Sequence, residues 1–378
     1  MNVDESELIA IRRDLHAHPE VAFDEHRTTG LIVERLRDLG LQPIVPNGTT
    51  GVLCDIGADG PLVALRADID ALPIDDAKDV PYRSTVPGVC HACGHDAHTA
   101  ILLGTATVLV GIELPGRVRL IFQPAEEQIP GGAINLVAAG AMKDVEAIFA
   151  LHCDPRVDVG RIGLRVGPIT AACDTVDVEL SGNGGHTGRP HLTADIVYAL
   201  GRLLTDLPGL LSRRVDPRAS LSLVWGSVTA GNAPNAIPPA GTARGTLRML
   251  DHGVWDAAEP LVRQLVEEIV RPTGARVAVS YERGVPPVVN DVAAVEVQRA
   301  AVLAGFGTDA LDETVQSMGG EDFAWYLEHA PGALARLGVR TPGSAASLDL
   351  HQSTFDIDEA ALAVGVRFMV HTVLAALT

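Results

Sequence analysis

Short apolar runs alternate with stretches of helical spacing along the first part of the chain. Runs rich in Val, Leu, Ile and Ala predict buried strands at residues 63–65, 118–122 and 147–151. Apolar residues that recur at helical spacing predict helices at residues 6–16, 28–39, 99–110 and 133–139. Because strands alternate with helices, this part of the chain is predicted to be α/β, with a mostly parallel central sheet flanked by helices.

The pattern changes near Thr170, where continuous apolar runs give way to alternating ones. Val176, Val178 and Leu180 lie on one face of a predicted half-exposed strand. Further strands are predicted at residues 219–228, 242–250 and 276–281, and helices at residues 193–207 and 255–270. After Val285-Pro286-Pro287 the helix–strand alternation returns, and it ends in a predicted helix at 359–377.

These changes predict a discontinuous domain interrupted by a smaller one. Residues 1–172 and 286–378 are expected to form the α/β domain, and residues 173–285 an inserted α+β domain of four strands and two helices. The length of 378 residues is consistent with two domains. With 47% hydrophobic and 20% charged residues, the chain has enough apolar side chains for a well-buried core.

The charge balance excludes several classes of partner. The formal net charge is −19, which argues against nucleic acid and against anionic membrane surfaces, because both are bound by clustered Lys and Arg. The most apolar window, residues 100–112, is too short to span a bilayer, and the acidic N-terminus leads into no signal-like run. The five cysteines are scattered, so we expect reduced thiols and a cytoplasmic protein.

The densest chemistry lies in residues 91–98, His-Ala-Cys-Gly-His-Asp-Ala-His. Cys93 and His95 stand two apart just before a helix, a spacing that suits two metal ligands on a tight turn. Gly94 between them allows that turn. His91, Asp96 and His98 add further potential ligands to this stretch.

Carboxylates and further histidines follow the predicted strands. Glu126 and Glu127 come after the 118–122 run, His152 follows the 147–151 run, and Asp68 and Asp70 follow the 63–65 run. The carboxyl ends of strands in an α/β sheet are where ligands bind, so these side chains are expected to converge on one cleft. One carboxylate of the Glu126-Glu127 pair can bind metal while its neighbour activates water.

At this point the chain resembles a known family. Its motifs occur in order at residues 66–73, 91–98, 122–127, 151–152, 185–191, 235–238 and 319–323. They are similar to those of the N-acyl-amino-acid amidohydrolases, the hippurate hydrolase and auxin-conjugate hydrolase branch of the aminoacylase/carboxypeptidase-type dinuclear metallopeptidases. The resemblance implies a zinc-peptidase-like catalytic domain and an inserted dimerisation or lid domain.

The resemblance also implies roles for single residues. It implies two divalent metal ions bound by Cys93, His95, Glu127, His152 and His351. With this ligand set, His91, Asp96 and His98 are expected to support the ligands rather than to bind metal themselves. It implies Glu126 as general acid/base, Asp70 as a catalytic support behind the metals, and His186, Asn235 and Arg248 as substrate-binding residues. His186 is expected to serve the partner's active site in a homodimer. Thiolate, imidazole and carboxylate ligands together suit Mn, Zn, Co or Ni and do not select among them.

The sequence departs from the family pattern in two loops. Thr187-Gly188-Arg189 follows His186 where relatives have small or hydroxyl residues with Met, and Gln352 follows His351 where relatives often have a proline before the aromatic residue. Both departures bear on substrate binding and on His351 as a ligand.

The leading hypothesis is therefore hydrolysis of the amide bond of a small N-acyl amino acid. Other substrates of the same chemistry stay open: those of a dipeptidase, an aminobenzoyl-glutamate hydrolase or a deacetylase of an N-acetyl intermediate. A non-catalytic protein that binds a small acid is the alternative of another class.

Overall fold

The computed structural model describes residues 4–344 and 349–378. The chain divides into two compact units. The first unit comprises Met1–Ile169, Val288–Val315 and Asp322–Thr378, and the second comprises Thr170–Pro287 and Gln316–Glu321. Gln316–Glu321 belongs to the second unit because Thr170 forms a β-bridge with Ser317 and the Ala171 N–H donates to the Gly319 carbonyl.

The strands are β1 (Val52–Ile56), β2 (Leu62–Asp68), β3 (Arg117–Gln123), β4 (Val145–Asp158), β5 (Ile162–Leu164), β6 (Gly167–Pro168), β7 (Ala172–Ser181), β8 (Gly185–His186), β9 (Ser222–Ala230), β10 (Ala236–Ile237), β11 (Ala240–Met249), β12 (Arg276–Val285), β13 (Val289–Asn290), β14 (Leu311–Glu313) and β15 (Gly332–Arg340). The α-helices are α1 (Glu5–Ala17), α2 (His26–Asp38), α3 (His95–Val110), α4 (Ala133–Ala138), α5 (Ile196–Arg214), α6 (His252–Val270), α7 (Val292–Phe306), α8 (Ala324–Leu327) and α9 (Ala360–Ala376).

A seven-stranded sheet in the order β1-β3-β2-β4-β15-β5-β14 forms the centre of the first unit. Its middle strands are parallel, whereas β1 pairs antiparallel with β3, and β15 antiparallel with β5. Val63 and Leu65 pack into one hydrophobic cluster and Leu62 and Ala64 into another, so both faces of β2 are buried. The mostly parallel, helix-covered sheet predicted from the sequence is confirmed.

Close packing of α3 on α9 holds the larger cluster together. A Cβ atom at Gly365 would lie 2.5 Å from Cδ1 and 2.9 Å from Cγ1 of Ile101, so only glycine allows this approach. α3 is buried along almost its whole length, which explains why its sequence is apolar on all sides.

The second unit is a four-stranded antiparallel sheet in the order β12-β7-β11-β9, packed with α5 and α6. The predicted four main strands and two helices are confirmed, and the two-residue strands β8 and β10 form a further small sheet in this unit. α5 extends past the predicted end at residue 207, through Pro208, and α6 contains Pro260. Each helix keeps a buried apolar stripe, and packing of that stripe outweighs the hydrogen bond that a proline removes. Among the described residues, no helix has both the length and the apolar composition that a bilayer span requires.

Two helical glycines offer a matched test of this packing. We expect Gly365→Ala to lower the free energy of unfolding by about 1–3 kcal/mol, because the branched Ile101 side chain cannot move aside. Gly201→Ala on α5 has open space around it and should raise the free energy of unfolding by about 0.5–1 kcal/mol through helix propensity. Urea unfolding followed by circular dichroism measures both; equal effects of the two substitutions would contradict the packing argument.

Candidate metal centre

The candidate site lies at the carboxyl ends of β2 and β3, beside β4. Asp68, the last residue of β2, lies opposite Gln123, the last residue of β3. His152 was expected to follow the end of a strand, but β4 continues through it to Asp158. The pairing of β4 with β2 ends at Ala150, so His152 lies in the part of β4 that extends beyond β2, next to the site.

Backbone geometry fixes the turn that carries Cys93 and His95. Gly94 has a φ of 91°, and a Cβ atom there would lie 2.9 Å from the Sγ of Cys153. Glycine is therefore required both for the left-handed backbone and for the close approach. α3 begins at His95, four residues before the predicted start, so its first turn presents the His95 ring to the site.

Hydrogen bonds orient two histidine rings with a nitrogen directed at one shared region. His95 Nδ1 lies 3.0 Å from the Asp70 carbonyl oxygen and 3.2 Å from Asp70 Oδ1, so it donates, and its buried Nε2 has no hydrogen-bond partner among the described residues. His152 Nδ1 donates to the Cys153 carbonyl at 2.8 Å, and its Nε2 lies 3.5 Å from Cys93 Sγ. Such second partners of a ring fix which nitrogen can bind metal.

His98 is buried in the same region but offers no lone pair. Its Nε2 accepts the Cys153 N–H at 2.9 Å, and its Nδ1 donates to Asp68 Oδ1 at 2.5 Å. With both ring nitrogens engaged, His98 orients Asp68 rather than acting as a ligand. His91 is buried 6.2 Å from the His16 ring, between ring centroids, and belongs to none of the ligand groups.

The five ligand residues expected from the resemblance are brought together. Their donor atoms form two groups in which all atoms lie within 4.8 Å of one another: Cys93, His95 and His152, and Cys93, Glu127 and His351. The Sγ of Cys93 belongs to both groups. His95, Glu126 and Glu127 form a further group.

Asp70 supports this arrangement from behind. Its Oδ1 accepts from His95, and its Oδ2 accepts the Glu127 N–H at 2.9 Å. One buried carboxylate therefore fixes a residue of each of the two ligand groups, and Asp70 itself is in neither.

His351 is held mainly by its backbone. Its N–H donates to the Ala92 carbonyl at 2.8 Å, its φ is 62°, and its Nε2 lies 3.1 Å from Glu127 Oε1 while the side chain is half exposed. The loop that follows lacks the family's proline, but the Phe355 N–H donates to the Gln352 carbonyl and Phe355 is buried. The departure at Gln352 thus leaves His351 beside Glu127.

The electrostatics of the cluster favour a bound cation. Burial lowers the pKa of His95, but Asp68, Asp70 and Glu127 outweigh it and raise that pKa to about 10. Burial, Glu127 and Glu126 raise the pKa of the Cys93 thiol well above its usual value. Burial and Arg336 lower the pKa of His152, which is therefore neutral as a ligand must be. Divalent metal would displace the protons of Cys93 and His95, so the residues fit such an ion.

Glu126 lies at the edge of this cluster. Its Oε2 is 3.9 Å from His95 Nε2, and its side chain is about as buried as that of Glu127. Ala125 precedes it with a φ of 54°, and its N–H donates to Glu25 at 2.8 Å. The turn before the two glutamates is therefore held in place by a buried partner, and both carboxylates approach His95 Nε2, at 3.9 Å for Glu126 and 4.0 Å for Glu127.

The predicted substrate-binding residues all lie in the second unit, at two separate places. β8 and β10 pair His186 with Ala236, which brings His186 next to Asn235. The Gly188 N–H donates to His186 Nδ1 at 2.9 Å, so the neutral ring carries its proton on Nε2. Arg248 donates to the Met318 carbonyl at 2.5 Å near the opposite end of β11.

Two buried residues near the cluster were not predicted from the sequence. Arg12 and His16 of α1 both contact Asp96 Oδ2, at 2.8 and 2.7 Å. They fall on the same helical stripe as Leu8 and Leu15. A polar pair on an otherwise apolar stripe was the only sequence signal.

Comparison with known proteins agrees with this geometry. The sequence profile of peptidase family M20/M25/M40 matches residues 64–375. The chain belongs to the peptidase family M20/M25/M40. Its fold is similar to that of a dinuclear metal-binding peptidase of the M20 family from Bacillus subtilis, with a TM-score of 0.86 and 34% identity over 99% of this chain and 98% of that one.

Two relatives show the range of proteins to which the chain is similar. The chain is 38% identical to the N-acetyl-L-cysteine deacetylase of Bacillus subtilis over 97% of its own length and 87% of the relative. It is 50% identical to a Rhodococcus jostii protein named glutamate–cysteine ligase 2-3, but spans only 46% of that protein. The family resemblance, the fold and the assignment to a family of hydrolases are confirmed.

We expect Asp70→Ala to weaken metal binding by about 10–100-fold, because it releases both His95 and the Glu127 backbone. Competition with a chelator measures the affinity. Asp75→Ala is the control, since Asp75 is exposed, accepts from the Gly88 backbone N–H at 2.8 Å and belongs to none of the ligand groups found among the described residues. Equal affinities of the two variants would show that Asp70 does not support the metals.

Proposed function

We propose that the protein hydrolyses the amide bond of small N-acyl amino acids, with two divalent metal ions held by Cys93, His95, Glu127, His152 and His351. The observation that carries this proposal is a complete set of converging donor atoms with one further glutamate, Glu126, beside them. When bound, Mn, Zn, Co or Ni would lower the pKa of water and polarise the scissile carbonyl.

Glu126 is the proposed general acid/base. It takes a proton from the attacking water and passes it to the leaving nitrogen, which converts the amide into a carboxylic acid and an amino acid. Asp70 keeps His95 and Glu127 in place during this transfer. His186, with its proton on Nε2, is suited to donate to the oxyanion of the tetrahedral intermediate.

The substrate class rests on the second unit and on the relatives. Arg248 offers a planar guanidinium that fits the free carboxylate of an amino acid. One relative is named for deacetylation of N-acetyl-L-cysteine and another for joining glutamate to cysteine. N-acetyl-L-cysteine is therefore the substrate to test first, followed by N-benzoyl and indoleacetyl amino acids. All five cysteines are buried and unpaired, which supports a reducing, cytoplasmic location.

A homodimer is proposed from distances within the second unit. Ala240 lies opposite Ser181 and Arg248 opposite Cys173, so the two ends of β11 are about 26 Å apart at roughly 3.3 Å per residue. His186 follows Ser181 beyond one end. An N-acyl amino acid spans only about 7–10 Å, so one copy of this unit cannot offer both His186 and Arg248 to it. The exposed Val224 and Val228 on edge strand β9 suit an isologous contact.

Replacement of the two glutamates separates catalysis from metal binding. We expect Glu126→Gln to lower kcat by about 10²–10⁴-fold and to leave the metal content unchanged. Glu127→Gln should lower the metal content as well, because Glu127 is a proposed ligand. Elemental analysis and N-acetyl-L-cysteine hydrolysis with added Mn, Zn or Co measure the two effects.

Full turnover by the Glu126→Gln variant would refute the mechanism. Wild-type protein that retains two metals but hydrolyses none of the acyl amino acids would favour the non-catalytic alternative.

Mixing two inactive variants tests whether His186 acts in the partner's site. An equal mixture of Glu126→Gln and His186→Ala subunits, refolded or exchanged together, should recover about 25% of wild-type activity, since half of the dimers contain one intact site. Each variant alone should stay inactive. No recovery despite heterodimer formation would place His186 and Glu126 of one subunit in the same site.

A further inference from the structure

Arg12 is a buried cation surrounded by carboxylates from distant parts of the chain. Its Nε donates to Asp96 Oδ2 at 2.8 Å, its Nη2 to Asp356 Oδ1 at 2.6 Å, and its Nη1 approaches Glu359 Oε1 at 3.4 Å. The guanidinium is 1% exposed, and α1 itself contributes no proposed metal ligand.

The carboxylates that Arg12 joins belong to two segments that carry ligands. Asp96 directly follows His95 in the first turn of α3. Asp356 and Glu359 follow His351, in the stretch that leads into α9. Arg12 therefore connects the segment with His95 to the segment with His351 and is itself in none of the ligand groups.

Further hydrogen bonds make this connection specific. His16 Nδ1 lies 2.7 Å from Asp96 Oδ2, and Tyr82 donates to Asp356 Oδ2 at 2.9 Å. Loss of one partner of a buried ion pair leaves the other charge without compensation, so these contacts resist separation of the segments.

The His351 segment needs such a restraint more than the other ligands do. Cys93, His95 and His152 are buried, whereas the His351 side chain is 52% exposed and its backbone has a φ of 62°. A non-glycine residue persists in that conformation only where its surroundings enforce it. The segment is restrained by the hydrogen bond of the His351 N–H to the Ala92 carbonyl, by that of the Ala77 N–H to the Ser353 carbonyl, and by Arg12 through Asp356.

We propose that Arg12 is a positioning residue of the metal centre, which holds the His351 segment against the start of α3 and thereby sets the affinity of the metal ion that His351 binds. The proposal rests on the two-metal function proposed above. It predicts an unequal effect, because Cys93, His95 and His152 remain restrained by their own buried partners when Arg12 is removed.

The test compares three variants by zinc titration against a chelator and by hydrogen exchange of the metal-free protein. Arg12→Met removes the connection, and Asp356→Asn removes only its link to the His351 segment. Arg119→Met is the control, since Arg119 is partly buried and pairs through two nitrogens with Asp55, at 2.7 Å, across β3 and edge strand β1, which carry no contact with Arg12 or Asp356 among the described residues.

We expect Arg12→Met and Asp356→Asn to weaken the second zinc ion by at least about tenfold and to leave the first within about twofold. Backbone amides of residues 349–359 should exchange at least about tenfold faster in the metal-free variants. Arg119→Met should lower the melting temperature without either change. If Arg12→Met does not fold, Asp356→Asn carries the same expectation.

Two results would overturn the proposal. The first is that the wild-type protein binds two zinc ions and that both affinities are unchanged, or equally lowered, in Arg12→Met and Asp356→Asn. This result would contradict the role of Arg12 and leave the two-metal function intact. Wild-type protein that binds fewer than two zinc ions would contradict the proposed two-metal function and this role together.

Discussion

The candidate site depends on the two hydrogen bonds that the buried carboxylate of Asp70 accepts. One oxygen accepts from the His95 ring and the other from the Glu127 backbone, so a single side chain just after β2 aligns donors from α3 and from the loop after β3. Because the Nδ1 atoms of His95 and His152 donate to the carbonyls of Asp70 and Cys153, the Nε2 atoms of both rings face the same small region as the Cys93 thiol. The site is therefore arranged by hydrogen bonds among protein groups, and the cluster of acidic groups makes a cation the natural occupant.

Much of the fold could be predicted because local patterns carry it. The apolar runs at 63–65 and 118–122 are the cores of β2 and β3, and their parallel pairing puts Asp70 and Glu126 at one edge of the sheet. β15 was not predicted as a strand, although it lies between β4 and β5, since its Ala- and Gly-containing sequence has no alternating pattern. The order of strands depends on long-range pairing, which periodicity does not contain.

The candidate site could be predicted only as a set of residue types and their order. Which nitrogen of each histidine is available depends on partners far along the chain: His98 is saturated by the Cys153 N–H, 55 positions later, and no spacing rule shows it. The link from Arg12 to Asp356 spans 344 positions and was not foreseen for the same reason. The proposed division of labour, with metals in one unit and substrate-binding residues at two ends of the other, likewise required the register of β11.

Anomalous diffraction from crystals grown with zinc or manganese tests the central claim most directly. We expect two metal peaks per chain, coordinated by Cys93, His95, Glu127, His152 and His351, with the Glu126 carboxylate beside them and bound to neither. A single peak, or Glu126 as a ligand in place of Glu127, would contradict it.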